Sequence, residues 1–236
     1  PMARVLVVDD EPQIRMLLRA YLDRDGFEVA EASTGTEAVA TAVAWRPDVL
    51  LLDLGLPDQD GLEVLRQVRA TYDPYVVVVT ARADEVDLLV GLSVGADDYV
   101  TKPFSPREVV ARVKAVLRRG RPGAGASGDR TPTAPVLRFP GLVIDPERRE
   151  VRTDAGPVEL SALEFDLLAA FAAAPGRVFS RVQLLERVWG YEFFGDERVV
   201  DVHIRNLRKA LGDDASAPST IATVRGVGYK FLKDPA

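Results

Sequence analysis

The sequence predicts two domains of different class. Residues 2–120 read as an α/β, doubly wound, parallel five-stranded sheet, and residues 136–234 as a smaller α+β domain. Three observations predict this. The first half alternates short continuous apolar runs with helical patterns, as expected of strands covered on both faces. The second half opens on short alternating runs, continues through three helical stretches and closes on a hairpin signal. Between them lies GRPGAGASGDRTPTAP, residues 120–135, with no aromatic or β-branched apolar residue. Such a segment buries too little surface to offset its ordering entropy, so 121–135 reads as a flexible linker.

Composition narrows the chemistry. Of 236 residues, 47% are apolar, enough for a buried core in each half. Cysteine is absent, which excludes disulfides and thiolate metal sites. The single histidine, His203, leaves a histidine-based metal site or triad without partners. No run of about 18 apolar residues exists, so no membrane association is expected. The start shows no signal-peptide pattern, and the expected location is the cytoplasm. The net charge of −6 argues, as an average, against a nucleic-acid partner. Divided along the chain, it is −5 over residues 1–121 and −1 over 122–236.

In the first domain, strands are expected at Val5–Val8, Phe27–Ala30, Val49–Leu52, Val76–Val79 and around Tyr99–Val100. Helices are expected over 12–25, 35–45, 61–71, 84–94 and 106–119. Ser105 before Pro106 reads as an N-cap followed by proline at the first helical position. In such sheets, ligands sit at the carboxyl ends of the strands. Those ends hold Asp9, Asp10 and Glu11, then Asp53, Thr80 and Lys102-Pro103. Clustered carboxylates repel unless a cation is present. An oxygen-only donor set suits Mg²⁺, with Lys102 as a fixed positive charge and Thr80 as a donor. This set suits phosphoryl transfer onto Asp53, where catalysis is mainly positioning and charge neutralisation.

The strings VLVVDDEP, VLLLDLGLPDQDG, VVVVTAR and GADDYVTKPF resemble, in order, the receiver domain of bacterial two-component response regulators, a flavodoxin-like fold. The resemblance implies a phospho-acceptor at Asp53 and Mg²⁺ held by Asp10, Asp53 and the Gly55 carbonyl, with Asp9 acting through water. It implies that Thr80 and Lys102 grip the phosphoryl oxygens, that the peptide before Pro103 is cis, and that Tyr99 swings inward on activation. The phosphodonor would be a histidine on a separate sensor kinase. The subclass dimerises through its fourth helix, fifth strand and fifth helix. There, Asp97, Asp98, Glu108, Arg112 and Arg119 match charged positions, and Leu89, Leu92 and Ala111 match an apolar patch. Leu88 stands where a Lys or Arg usually pairs with the acid at Glu108, and Ser93 where an acid is common. A weaker or repositioned dimer is therefore expected, since one exposed pair contributes about 0–1 kcal/mol.

In the second domain, alternating runs at Val136–Phe139, Leu142–Ile144, Glu150–Arg152 and Val158–Leu160 predict a small antiparallel sheet. Ser161 followed by Glu164 is a capping-box start. A second helix is expected over 181–189 with Ser180 as N-cap. The third, over 197–211, aligns Val200, Ile204, Leu207 and Leu211 on one stripe. Its other faces carry Arg198, His203, Arg205, Asn206, Arg208 and Lys209 against Asp201, with Glu197 at the helix start. This suggests the recognition helix of a helix-turn-helix. TIATVRGVGYKFL then reads as a hairpin, with Arg225 near its tip for a minor groove.

Helix, hairpin and preceding sheet resemble the winged helix-turn-helix effector of the OmpR/PhoB group, through LEFDLL, PGRVFSRVQLLERVWG, VDVHIRNLRKAL and TVRGVGYKF. The resemblance places Arg198, Val202, His203, Arg205, Asn206 and Arg208 at or near double-stranded DNA. By charge, Arg198, Arg208, Lys209 and Lys230 are assigned to phosphates. Asn206 suits adenine. Some relatives have Arg at that position, and many have Thr where Val199 stands, so the target sequence stays open. The loop Tyr191–Glu197 matches a segment that in relatives touches RNA polymerase. Two other classes fit less well. A phosphatase with Asp53 as nucleophile would need an acid where Gly55 stands, and no G-x-G-x-x-G follows the first strand for a dinucleotide.

Overall fold

The computed structural model describes residues 2–81, 95–119, 135–190 and 197–235. The helix expected over 84–94, the linker before Pro135 and residues 191–196 of the loop lie outside them. The chain divides into two compact units, Pro1–Leu117 and Arg118–Ala236.

In the first unit the order is β1 (Arg4–Val8), α1 (Pro12–Arg24), β2 (Glu28–Ala32), α2 (Gly35–Trp45), β3 (Val49–Leu52), α3 (Gly61–Arg69), β4 (Tyr75–Thr80), β5 (Asp98–Thr101) and α4 (Pro106–Arg119). The strands form one parallel sheet in the order β2-β1-β3-β4-β5. Val5, Val7, Leu51, Val77 and Val79 pack with Leu18 and Leu22 of α1 and Val109 and Val113 of α4. Leu6, Leu50 and Leu52 alternate onto the opposite face and are equally buried. Strand 2 starts one residue later than expected. The Phe27 N–H closes the turn after α1 on the Leu22 carbonyl, so the ladder begins at Glu28.

The order reverses between β1 and β3, where Val8 pairs with Leu52 and the Asp53 N–H donates to the Val8 carbonyl at 2.9 Å. Strand order thus brings Asp9 and Asp53 side by side, although they stand far apart in sequence.

In the second unit, β6 (Leu137–Phe139), β7 (Leu142–Asp145), β8 (Glu150–Thr153) and β9 (Gly156–Val158) form an antiparallel meander. Then come α5 (Ala162–Ala172), β10 (Val178–Ser180), α6 (Arg181–Leu184), α7 (Arg198–Leu211), β11 (Ile221–Val224) and β12 (Gly228–Phe231). Ser161 and Glu164 form the expected capping box, and Ser180 and Gln183 form a second. Only the first turn of the helix expected over 181–189 is α-helical; Leu185–Trp189 continues it as a wider π-turn ending at Gly190.

Strand β10 was not expected, because three residues carry no readable period. It is specified by its partner: β12 pairs with it antiparallel, and a Cβ on Gly228 would lie 2.0 Å from the Phe179 carbonyl. Phe171 meets Phe179 edge to face at 5.8 Å and Phe139 meets Phe231 at 5.0 Å, and Leu167, Val200, Ile204 and Leu207 of the helices are fully buried. Among the described residues, no helix is long and apolar enough to cross a membrane.

Candidate phosphoryl site and nucleic-acid interface

At the switch point, ligand atoms of Asp9, Asp10 and Asp53 lie within 4.8 Å of one another. Asp9 and Asp53 are buried, at 1% and 5% exposure, and Asp10 is exposed, so the group opens on one side. Lys102, from the loop after β5, places its Nζ 2.7 Å from Asp9, 2.9 Å from Asp53 and 3.0 Å from Glu11. The Lys102–Pro103 peptide is cis, and the Lys102 N–H donates to the Thr80 carbonyl at 2.8 Å. Thr80 itself is fully buried at the end of β4.

The two oxygens of Asp53 have different partners. Oδ1 accepts the Gly55 N–H at 3.0 Å and Oδ2 accepts from Lys102. Gly61 lets α3 begin close behind this residue, since a Cβ there would sit 2.5 Å from the Asp53 carbonyl.

Burial raises the Asp9 carboxyl above its ordinary range, and the neighbouring Asp53 adds to this against the pull of Lys102 and the Glu11 N–H. Burial also works against the Lys102 charge, but its hydrogen bonds with Asp9, Asp53 and Glu11 outweigh this and raise it further above its usual range. The donors around the opening are oxygens only, which a hard divalent ion fits.

Two features of this site had not been read from the sequence. Glu11 reaches Lys102 across 91 residues. Asp58 ties the loop after Asp53 to the start of α2, accepting from the Gly35 N–H (2.7 Å), the Thr36 N–H (2.9 Å) and the Thr36 hydroxyl (2.7 Å). These bonds hold its carboxyl down to about 2. Asx residues in loops give no sign of which distant amides they will meet.

The surface expected for dimerisation is partly turned inward. Asp97 is 1% exposed and accepts from the Val76 N–H (2.7 Å) and Arg69 (2.9 Å), fastening β4 to the β5 approach. Arg112, at 4% exposure, pairs with Asp98 at 2.6 Å and Glu108 at 2.8 Å within the chain. Asp97, Asp98 and Arg112, which match charged positions of that surface, thus form these pairs within the chain. Ala111 and Tyr99 are half-buried. Leu88, Leu89, Leu92, Ser93 and the Arg119 side chain lie outside the described residues.

On α7, Arg198, Arg205 and Lys209 are exposed and Asn206 is half-buried. Arg225 is exposed in the turn between β11 and β12, and Lys230 is half-buried on β12. Three residues that the resemblance places at or near DNA are turned inward. His203 is 1% exposed, with its ring 5.6 Å from Trp189, and Val202 is 8% exposed. Arg208 is 9% exposed; it donates through Nε and Nη2 to the Ile221 carbonyl (3.1 and 2.7 Å) and to the Thr223 hydroxyl (2.9 Å). It clamps the hairpin onto α7 rather than facing outward.

A second clamp was missed. Asp201 Oδ1 accepts from Arg181 Nε at 2.7 Å and from the Tyr229 hydroxyl at 2.6 Å, joining α6, α7 and β12. What remains outward is a cationic set on one helix and one hairpin, the geometry in which a helix enters a major groove and a wing a minor groove.

Comparison with known proteins agrees with both halves. Residues 5–114 match the response regulator receiver domain family, and residues 155–231 match the family of transcriptional regulatory protein C-terminal domains. The chain is 45% identical to the transcriptional regulatory protein ResD of Bacillus subtilis (strain 168), over 97% of this chain and 95% of that one. It is 44% identical to the transcriptional regulatory protein SrrA of Staphylococcus aureus (strain NCTC 8325 / PS 47), over 96% and 94%. Among solved structures it is similar to DrrB, a Thermotoga maritima OmpR/PhoB homolog, at 34% identity and a TM-score of 0.52, covering 98% of this chain and all of that one. A mutant of RitR gives 29% identity and a TM-score of 0.74, with the same coverage. With its receiver fold in front, its DNA-binding domain behind and relatives of this kind along almost its whole length, the chain belongs to the OmpR/PhoB family of two-component response regulators.

Proposed function

We propose that a phosphoryl group transferred to Asp53 from a histidine of a separate sensor kinase switches this cytoplasmic regulator's hold on promoter DNA. The observation that carries the reading is the setting of Asp53. It is a buried carboxylate at the switch point, held by Lys102 and the Gly55 amide, with Asp9 and Asp10 beside it. One carboxylate oxygen attacks phosphorus, the P–O bond forms and the P–N bond to the donor histidine breaks with its electron pair returning to the imidazole. Asp9, Asp10, Asp53 and the Gly55 carbonyl would hold Mg²⁺, which neutralises charge on the phosphoryl oxygens.

Lys102 supplies a second positive charge at the acceptor. Thr80, joined to Lys102 by a backbone hydrogen bond, donates its hydroxyl to a phosphoryl oxygen, and Tyr99, in register beside Val78 on β5, repacks in response. Phosphorylated chains pair through the face that includes Glu108 and Ala111. Two effectors then engage repeated half-sites, the second contact being intramolecular. Arg198, Arg205, Asn206, Lys209, Arg225 and Lys230 form the DNA contacts. The loop Tyr191–Glu197 is assigned to RNA polymerase by likeness alone.

A small phosphodonor with Mg²⁺ tests this. The expected product is a stable acyl phosphate that disappears in Asp53→Asn. Rapid multiple turnover of the donor would instead favour a phosphatase, a reading that Gly55 disfavours by leaving no acid two residues after Asp53.

A further inference from the structure

The roles assigned at the phosphoryl site leave Arg15 without one. It lies one turn into α1, with a side chain only 17% exposed, and it points back at the end of β1. Its Nη1 donates to the Asp9 carbonyl at 2.7 Å and to the Asp10 carbonyl at 3.1 Å. Its Nε lies 3.4 Å from Glu31 on β2, and Glu31 is gripped in turn by Arg19 at 2.8 Å. From the other side, the Glu11 N–H donates to Asp9 Oδ1 at 2.9 Å and the Asp9 N–H to the Ala32 carbonyl at 3.2 Å.

We propose that Arg15 is a positioning residue for the divalent-cation site, holding the peptide planes from which the Asp9 and Asp10 carboxylates project. This rests on the reading that Asp9, Asp10 and Asp53 bind Mg²⁺. Both carbonyls turn toward one guanidinium, which fixes the backbone of two adjacent ligands with a single side chain. Both bonds leave one nitrogen, Nη1, whose two hydrogens serve one carbonyl each, while the rigid guanidinium plane turns Nε toward Glu31 at the same time, which a lysine ammonium has no second nitrogen to do. Without it, two of the three mutually repelling carboxylates, Asp9 and Asp10, stand on a turn held less firmly, and the cation must order that turn on arrival. Residues that orient metal ligands from behind typically change affinity by about 10–100-fold when removed. Glu31 completes the device by pinning the guanidinium to the sheet.

The test is a calorimetric titration of the full chain with MgCl₂, paired with unfolding midpoints in chelator. Arg15→Ala is expected to bind Mg²⁺ about 10-fold more weakly. Arg15→Lys recovers part of the loss, and it carries the test if the alanine variant fails to fold. Arg19→Ala shares Glu31 but touches neither carbonyl, and it leaves the affinity unchanged. Equal losses in Arg15→Ala and Arg19→Ala overturn the proposal, because removal of charge would then suffice. So does an Arg15→Ala chain that binds as the wild type does. A wild-type chain that takes up no Mg²⁺ overturns the metal reading and the proposal together.

Discussion

At the residue scale, one carboxylate of the cation site, Asp9, opposes folding. The raised pKa of Asp9 means that its charged form is disfavoured in the folded state, chiefly by burial. The sign follows from linkage: a folded-state pKa above the unfolded value lends stability at low pH that is lost as pH rises through it. At neutral pH Asp9 is therefore a net cost, borne for the sake of the cation. Asp9→Asn should raise the receiver's melting temperature in chelator while weakening Mg²⁺ binding, which calorimetry measures in both respects. Tyr229 gives a second case. Burial, then its bond to the charged Asp201, pushes its phenol up to about 12. Its contribution to stability should be complete below pH 10 and fade as pH approaches 12, and an ultraviolet difference titration should find two tyrosines ionising there, Tyr72 and Tyr229, of which Tyr229→Phe removes one. The pairing of Tyr229 with Asp201 spans 28 residues and left no mark in the sequence, whereas Asp53 was legible because an acid at a buried strand end stands out by type alone.

Among the elements, α7 shows where periodicity stops being informative. A stripe through Val200, Ile204 and Leu207 says which face is buried, but not how wide that face is. Trp189 covers His203, and the β11–β12 hairpin covers Arg208, so two polar residues at the margin of the stripe became structural. The two cations at the end of α7 should separate by experiment. Arg208→Ala removes charge-assisted bonds to a buried carbonyl, each contributing about 1.5–3 kcal/mol. It should lower effector stability by that order and weaken DNA binding on every sequence. Lys209→Ala should leave stability within about 0.5 kcal/mol and reduce the salt slope of binding by about one. Chemical unfolding and salt-dependent binding assays report the two quantities separately.

Across the whole molecule, the acidic average and the DNA-binding half are compatible because charge is distributed unevenly. The excess acid lies in the receiver half, where some of it builds the cation site, and the effector concentrates exposed cations on one helix and one hairpin. An effector close to neutral gains little affinity for arbitrary phosphates. Useful binding should then depend on pairing. Phosphorylation is expected to tighten binding to DNA with two half-sites far more than to DNA with one, as measured by fluorescence anisotropy on the two duplexes. An equal gain on both would show that the switch acts within one chain.

By itself the sequence determined the two fold classes, the division between them and the residues gathered at the switch point. Each of these follows from local pattern: continuous apolar runs, caps, turn residues, and polar types at strand ends. Only the tertiary structure decided which polar groups face inward. Asp97, Arg112, His203 and Arg208 are committed to partners or rings inside their own units, and Arg15 reaches back to the Asp9 and Asp10 carbonyls. Those outcomes depend on strand order, register and the close approach at Gly228, which bring together groups that no local period relates. A side chain's type is a property of one position, but its burial belongs to everything that packs against it.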